Sequence, residues 1–184
     1  VESQQVLLYL APFSGHIVRA ALPQYVGHFC VLEPEFTKLS VQMLDDAVRE
    51  AINWGLLAIH GEGPLEELTI HPLLPYFLRV KLPQEQDEVN ANLITKAFQN
   101  HCTDLAYMYA TILNSNTARE HQWGIYWIKL EYENLHSALK ISLAQQDGVE
   151  IFACLDDYLS STQDISSTLD LVQEVYQRII LYPE

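Results

Sequence analysis

The side chains that could do chemistry are spread along the chain rather than grouped. His16, His28, His60, His101, His121 and His136 lack the i, i+4 carboxylate pairing that a helical metal site would show. His60 and His71 sit on two β-prone runs and could face each other across a hairpin. Two histidines without a third ligand read as ordinary strand residues, and no metal site is predicted. The carboxylate pairs Asp45-Asp46, Glu66-Glu67 and Asp156-Asp157 are adjacent in sequence. Helix neighbours point about 100° apart, so these pairs cannot share a proton across a cleft, and they read as solvated faces. Cys30, Cys102 and Cys154 are odd in number, far apart and without C-x-x-C spacing, which predicts three buried thiols rather than zinc or disulfides. No G-x-x-x-x-G-K-[ST], G-x-G-x-x-G, G-x-S-x-G or H-E-x-x-H occurs. No catalytic residue is predicted, and the chain is expected not to be an enzyme.

Composition bounds what remains. The 184 residues carry 10 Lys+Arg against 24 Asp+Glu, a net charge of −14. Such a chain repels phosphate backbones, whereas nucleic-acid binders depend on cationic contacts. A hydrophobic share of 49% with only 7 glycines predicts a packed core. No apolar run reaches the ~18 residues of a membrane span, and no basic segment with a following apolar stretch opens the chain. The expected compartment is the cytoplasm. The abrupt start at Val1 and end at Pro183-Glu184 read as a fragment of a larger protein.

The elements that must position these residues fall into two textures. Residues 1–82 are short segments punctuated by Pro and Gly, and residues 89–184 are long helical patterns; Pro83 and the polar, acidic stretch after it form an expected linker, 83–88. In the first half, helices are predicted from Gln4 to Leu10, from Arg19 to His28, and from the N-cap Ser40 to Trp54-Gly55, with Leu44, Ala47, Val48 and Ala51 at helical spacing. Leu56–His60 and Leu65–His71 flank Gly61-Glu62-Gly63-Pro64 and predict a β-hairpin. Pro72 suits the first turn of a helix running from Leu73 to Leu82. Three helices, a hairpin and a closing helix are the order of a winged helix. In the second half, helices are predicted over 89–113, from the capping box Thr117-Ala118-Arg119-Glu120 to about Gln146 ahead of Asp147-Gly148, over Val149–Leu159, and over Ile165–Ile180. Antiparallel helix pairs of this kind are the unit of a tetratricopeptide-like solenoid.

The apolar signature Leu7-Leu8-x-Leu10-Ala11-Pro12, Leu44-x-x-Ala47-x-x-x-Ala51-x-x-Trp54-Gly55-Leu56-Leu57 and Leu68-x-Ile70-His71-Pro72-Leu73-Leu74-x-x-Phe77-Leu78 resembles the winged-helix segment of STAND-class signalling ATPases of the NB-ARC type. The run Leu130-Glu131-Tyr132-Glu133-Asn134-Leu135 through Ala138-Leu139 is similar to the helix that opens tetratricopeptide arrays in the same proteins. The resemblance implies that His71, matching the histidine of the family's Met-His-Asp motif, contacts the β-phosphate of ADP in the resting state. Here Pro72 replaces that motif's aspartate. It also implies that the cofactor, ADP or ATP, belongs to a nucleotide domain before Val1, with none held by this fragment.

The expected fold is therefore mainly α: a winged-helix domain (1–82), a linker (83–88) and a tetratricopeptide-like helical domain (89–184), the start of a longer array. The expected role is regulation or scaffolding, with the winged helix holding the nucleotide domain at rest and the array binding a ligand or protein partner. Tyr126, Trp127 and Tyr132 are the candidate partner-binding residues. Glu131, Glu133 and Asn134 read as structural, with Asn134 bonded to a neighbouring helix. One alternative is a free-standing helical adaptor. Another is a DNA-binding winged helix, opposed by its groove helix, where Asp45, Asp46 and Glu50 outnumber Arg49, and by the acidic wing tip from Gly61 to Glu67.

Overall fold

The computed structural model describes residues 2–36, 38–61 and 66–182, the side chains of Glu2 and Ser3 excepted. The chain is mainly helical with one small antiparallel sheet, and it divides into two compact units, residues 1–101 and 102–184. The sequence placed that division at 83–88. Instead, helix α4 (Leu73–Glu85) contains Pro83. Only Gln86 and Asp87 separate it from α5 (Glu88–Leu113). A proline so near a helix end forfeits one backbone bond, which the last turn tolerates.

Helix α1 (Glu2–Leu7) runs into a 3-10 turn, Leu8–Leu10. Val6 through Ala11 are all buried, and a segment apolar all round must be. Next comes β1 (His16–Val18), a strand absent from the sequence reading. Three residues are too few for alternation to register, and the pairing partner lies about fifty residues on. A 3-10 turn then leads into α2 (Leu22–Leu32), which carries Pro23 in its first turn.

Helix α3 (Val41–Asn53) starts as expected at Ser40, whose hydroxyl accepts from Met43 N, and ends at Trp54 before Gly55 at φ 70°. Strands β2 (Leu57–His60) and β3 (Glu67–Ile70) form the hairpin. Its turn, and with it most of the expected wing tip, falls on residues 62–65, outside the described residues. The sheet order is β1-β3-β2, with Ile17 opposite Leu68 and Leu57 opposite Ile70. The core of this unit is aromatic. Tyr9, Phe13, Tyr25 and Phe29 pack edge-to-face, Tyr25 Oη donates to Tyr9 O at 2.5 Å, and Phe98 of α5 meets Phe13 at 4.9 Å. That contact draws the first half of α5 into unit 1.

The second unit holds the end of α5 with α6 (Ala118–Ala144), α7 (Val149–Thr162) and α8 (Ile165–Ile179); α6 packs on α7 and α8, and α7 on α8. Thr117 caps α6 by accepting from Glu120 N. The reciprocal arm of the expected capping box is different: the Glu120 carboxylate accepts from the Thr117 and Ser115 hydroxyls, and Thr117 N donates to Ser115 Oγ. Gly148 does not terminate α6. Gln146 takes the left-handed position at φ 62°, with Gln146 N on Leu143 O and Asp147 N on Ser142 O. Gly148 instead serves as the N-cap of α7.

Candidate functional site

An apolar groove of about 660 Å³ lies in unit 1, walled by α1, α4 and the segment that follows α3. Leu7 and Leu8 form its floor and are buried. Trp54 is placed by the helix stop at Gly55, and Leu73 and Phe77 stand one turn apart on α4. These three remain 46%, 69% and 55% exposed, so a strip of apolar surface faces solvent where three elements converge. Gln5, Lys81 and Glu85 supply a polar rim.

His71 stands two residues before Leu73, the first α4 residue in the lining of this groove. Its backbone N donates to Leu56 O at 2.9 Å, and its ring Nδ1 accepts from Leu73 N at 3.3 Å. The imidazole thus caps one of the free amides at the start of α4. That bond places the proton of the neutral ring on Nε2. The ring is exposed. It does not face His60, because His60 lies opposite Glu67 at the far end of the hairpin. The register separates them by the full length of the strands.

Beside the sheet lies a compact ion network. Arg19 bridges Asp45 of α3 at 2.5 Å and Glu66 at 2.7 Å, and Arg49 holds Asp45 at 2.6 Å. These carboxylates raise the Arg19 pKa, the Asp45 hydrogen bond most of all. Asp45 and Glu66 are therefore ion-pair partners as well as surface charges. The two arginines are in turn committed within the unit.

Unit 2 separates the aromatic candidates. Tyr126 and Trp127 meet at 5.1 Å, and Trp123 completes the cluster by stacking on Trp127 at 6.0 Å. Tyr126 is 42% exposed. Tyr132 is not with them. Six residues on, it has turned to the other side of α6, where it neighbours His136 and Tyr158. Burial and the carboxylates nearby, Asp164 first, raise its pKa. Glu131 and Asn134 are buried at 2% and 1% exposure, and Asn134 Nδ2 donates to Glu131 Oε2 at 2.5 Å. The Asn134 backbone carbonyl accepts from the Cys102 thiol of α5 at 3.9 Å, a bond that does not depend on the asparagine side chain, while Glu133 is exposed.

Burial pushes the Cys102 thiol well up and the Cys154 thiol to about 12, so both are poor nucleophiles. Cys30, expected to be buried, is exposed on α2, because the inward positions of that helix are taken by Leu22, Tyr25, Val26 and Phe29. Among the described residues no three His, Cys, Asp or Glu side chains gather as a metal site, and no helix is long and apolar enough to cross a membrane.

Sequence reasoning missed the groove, since Trp54 and Phe77 entered it only as members of an apolar pattern. It also missed the pairing of His28 with His101, whose rings lie 6.1 Å apart although the residues are far apart in sequence. No family model, no curated protein and no solved structure matches this chain.

Proposed function

We propose that this chain is the winged-helix and first array helices of a STAND-type signalling ATPase, a regulatory piece without catalysis of its own. In this reading unit 1 is the winged helix and the helices of unit 2 open a tetratricopeptide-like array. The helix–strand–helix–helix–strand–strand order of unit 1, with β3 central in its sheet, supports the first assignment, and the successive packing of α6, α7 and α8 the second. The observation that carries the reading is His71, exposed with a donor-bearing Nε2 and bonded through Nδ1 to Leu73, which lines the apolar groove. A histidine so placed can donate to a phosphate oxygen while Trp54, Leu73 and Phe77 dock on the domain that holds the nucleotide. The helical array then senses a partner and releases the clamp, a two-state switch driven by differential contacts. The cytoplasm is the compartment such a switch requires.

The test uses the longer protein that contains the nucleotide domain. His71→Ala is expected to release bound ADP at least tenfold faster and raise basal activation. Unchanged ADP retention would sink the role assigned to His71.

A free-standing adaptor is the second reading, and the Trp123–Tyr126–Trp127 cluster favours it. There Trp127→Ala would abolish capture of the partner without altering helicity. The DNA-binding reading is weakened by the ion network, since Arg19 and Arg49 are held by Asp45 and Glu66 rather than offered to phosphates.

A further inference from the structure

We propose that the Asp147–Gly148 peptide, in the turn between α6 and α7, is a site of spontaneous modification at which aspartate converts to isoaspartate, and that the conversion loosens the seat of α7. This does not rest on the reading above. Every other aspartate of the chain is followed by a residue with a side chain, which shields the next backbone amide. Gly148 leaves that amide open. Gly148 N donates to Asp147 Oδ1 at 2.8 Å, which puts the nitrogen about 3–3.5 Å from Cγ, the separation of a near-attack geometry. A small rotation of the carboxyl completes the approach, and Asp147 is exposed, so water reaches it.

The other aspartates are held away from this geometry. Asp87 and Asp164 cap helices, and their carboxylates accept from Asn90 N at 2.8 Å and Ser167 N at 3.1 Å. Both bonds run to an amide three residues ahead, not to the next one. Asp45, Asp46, Asp104, Asp156, Asp157 and Asp170 lie within helices, where the following N–H points back along the axis to a carbonyl.

The step balances with water alone. Gly148 N bonds to Asp147 Cγ, and the amide hydrogen leaves with the hydroxyl of the protonated carboxyl as water. The product is a five-membered cyclic imide. Water then returns to one of its two carbonyls. Opening at Cγ restores aspartate. Opening at the backbone carbonyl makes that carbon the free carboxylate and routes the chain through Cβ and Cγ, which is isoaspartate. Mass and oxidation state are unchanged.

The main chain thereby gains one methylene where there is no slack. Gly148 is buried at φ 106°, and a Cβ on it would stand 2.9 Å from Ser142 Cβ and 3.1 Å from Leu139 Cδ1. On one side Asp147 N donates to Ser142 O at 3.0 Å, and on the other Gly148 O accepts from Phe152 N at 2.9 Å in the first turn of α7. A longer backbone between these two bonds cannot keep both, so the start of α7 moves off α6.

The test ages the whole chain for weeks at neutral pH and body temperature, folded in buffer and unfolded in urea. Endoproteinase Asp-N, which cuts before aspartate and not before isoaspartate, then reads each position by peptide mass. The expected result is loss of the cut at Asp147, roughly tenfold or more ahead of any other aspartate, and at least as fast folded as in urea. The aged chain should melt at a lower temperature than the fresh one. Asp147→Glu, whose imide would need a six-membered ring, and Asp147→Ser, which has no carboxyl, should keep their midpoints on ageing; if one loses helicity when fresh, the other decides. A cut at Asp147 that persists overturns the proposal, as does isomerisation that is slower folded than in urea or no faster than at other aspartates. An unchanged midpoint in the isomerised chain, or an equal fall in the variants, overturns the loosening of α7.

Discussion

A methyl group on Gly124 would stand 2.5 Å from Leu113 Cα and 2.6 Å from its nitrogen. Both are backbone atoms and cannot rotate aside, so α6 approaches the end of α5 as closely as it does only because position 124 has no side chain. Gly124→Ala is expected to destabilise the protein by about 1–3 kcal/mol through overpacking, outweighing the better helix propensity of alanine, and urea denaturation would measure it. His101 is a second residue with a sharp consequence. It is 1% exposed, its Nδ1 has no hydrogen-bond partner among the described residues, and Phe13, Tyr25 and His28 surround its ring. Burial first, and the His28 charge second, lower its pKa from 6.5 to about 3. The unfolded chain thus binds a proton that the folded chain refuses, and stability falls as pH drops from about 6.5 toward 3. The loss should reach a few kcal/mol, and His101→Leu should flatten that limb of a stability-versus-pH curve. A variant as steep as the parent between pH 7 and pH 4.5 would contradict the assignment.

At the scale of elements, the helix caps test whether local chemistry sets the boundaries. Ser40→Ala removes the acceptor for Met43 N and should cost about 1 kcal/mol. Gln163 is a left-handed residue at φ 58° that closes α7, with Gln163 N on Ser160 O and Asp164 N on Leu159 O. A Cβ is disfavoured in that conformation. Gln163→Gly should therefore stabilise by about 0.5–1 kcal/mol, the greater freedom of glycine in the unfolded chain taking back part of the gain; a fall in thermal midpoint would show that the glutamine side chain contributes packing. Ser40 and Thr117 were legible as helix starts because a capping side chain acts on its own neighbours. The helix stops at Gln146 and Gln163 were less so, since glutamine carries no intrinsic left-handed preference and takes that geometry only where both flanking helices are already fixed.

The whole molecule is governed by its charge. With 24 acidic residues against 10 Lys+Arg, self-repulsion opposes the compact state. Raising NaCl from about 20 to 500 mM shortens the screening length from roughly 20 Å to about 4 Å, which should raise the thermal midpoint by a few degrees. Salt also weakens the Arg19 network, but Arg19, Asp45 and Glu66 are 23–27% exposed, and few such pairs offset so large an excess of carboxylates. A midpoint that falls with salt would mean that specific ion pairs outweigh net repulsion.

What this sequence determined by itself is local in origin. The positions of α3, α6 and α8, the β2–β3 hairpin and the inward burial of Leu44, Ala47 and Val48 follow from side-chain periodicity and from caps that bond within four residues. The tertiary structure decided whatever depends on partners far along the chain. It made a strand of His16–Val18 by giving it β3, took the first half of α5 into unit 1 through Phe98 and His101, and parted His60 from His71 by the register of the sheet. It set Tyr132 against Tyr158 rather than Trp127 and gathered Trp54, Leu73 and Phe77 into one groove. The physical reason is the same in each case. An apolar side chain contributes stability in proportion to the area it buries, and which surface buries it is decided only when elements distant in sequence meet.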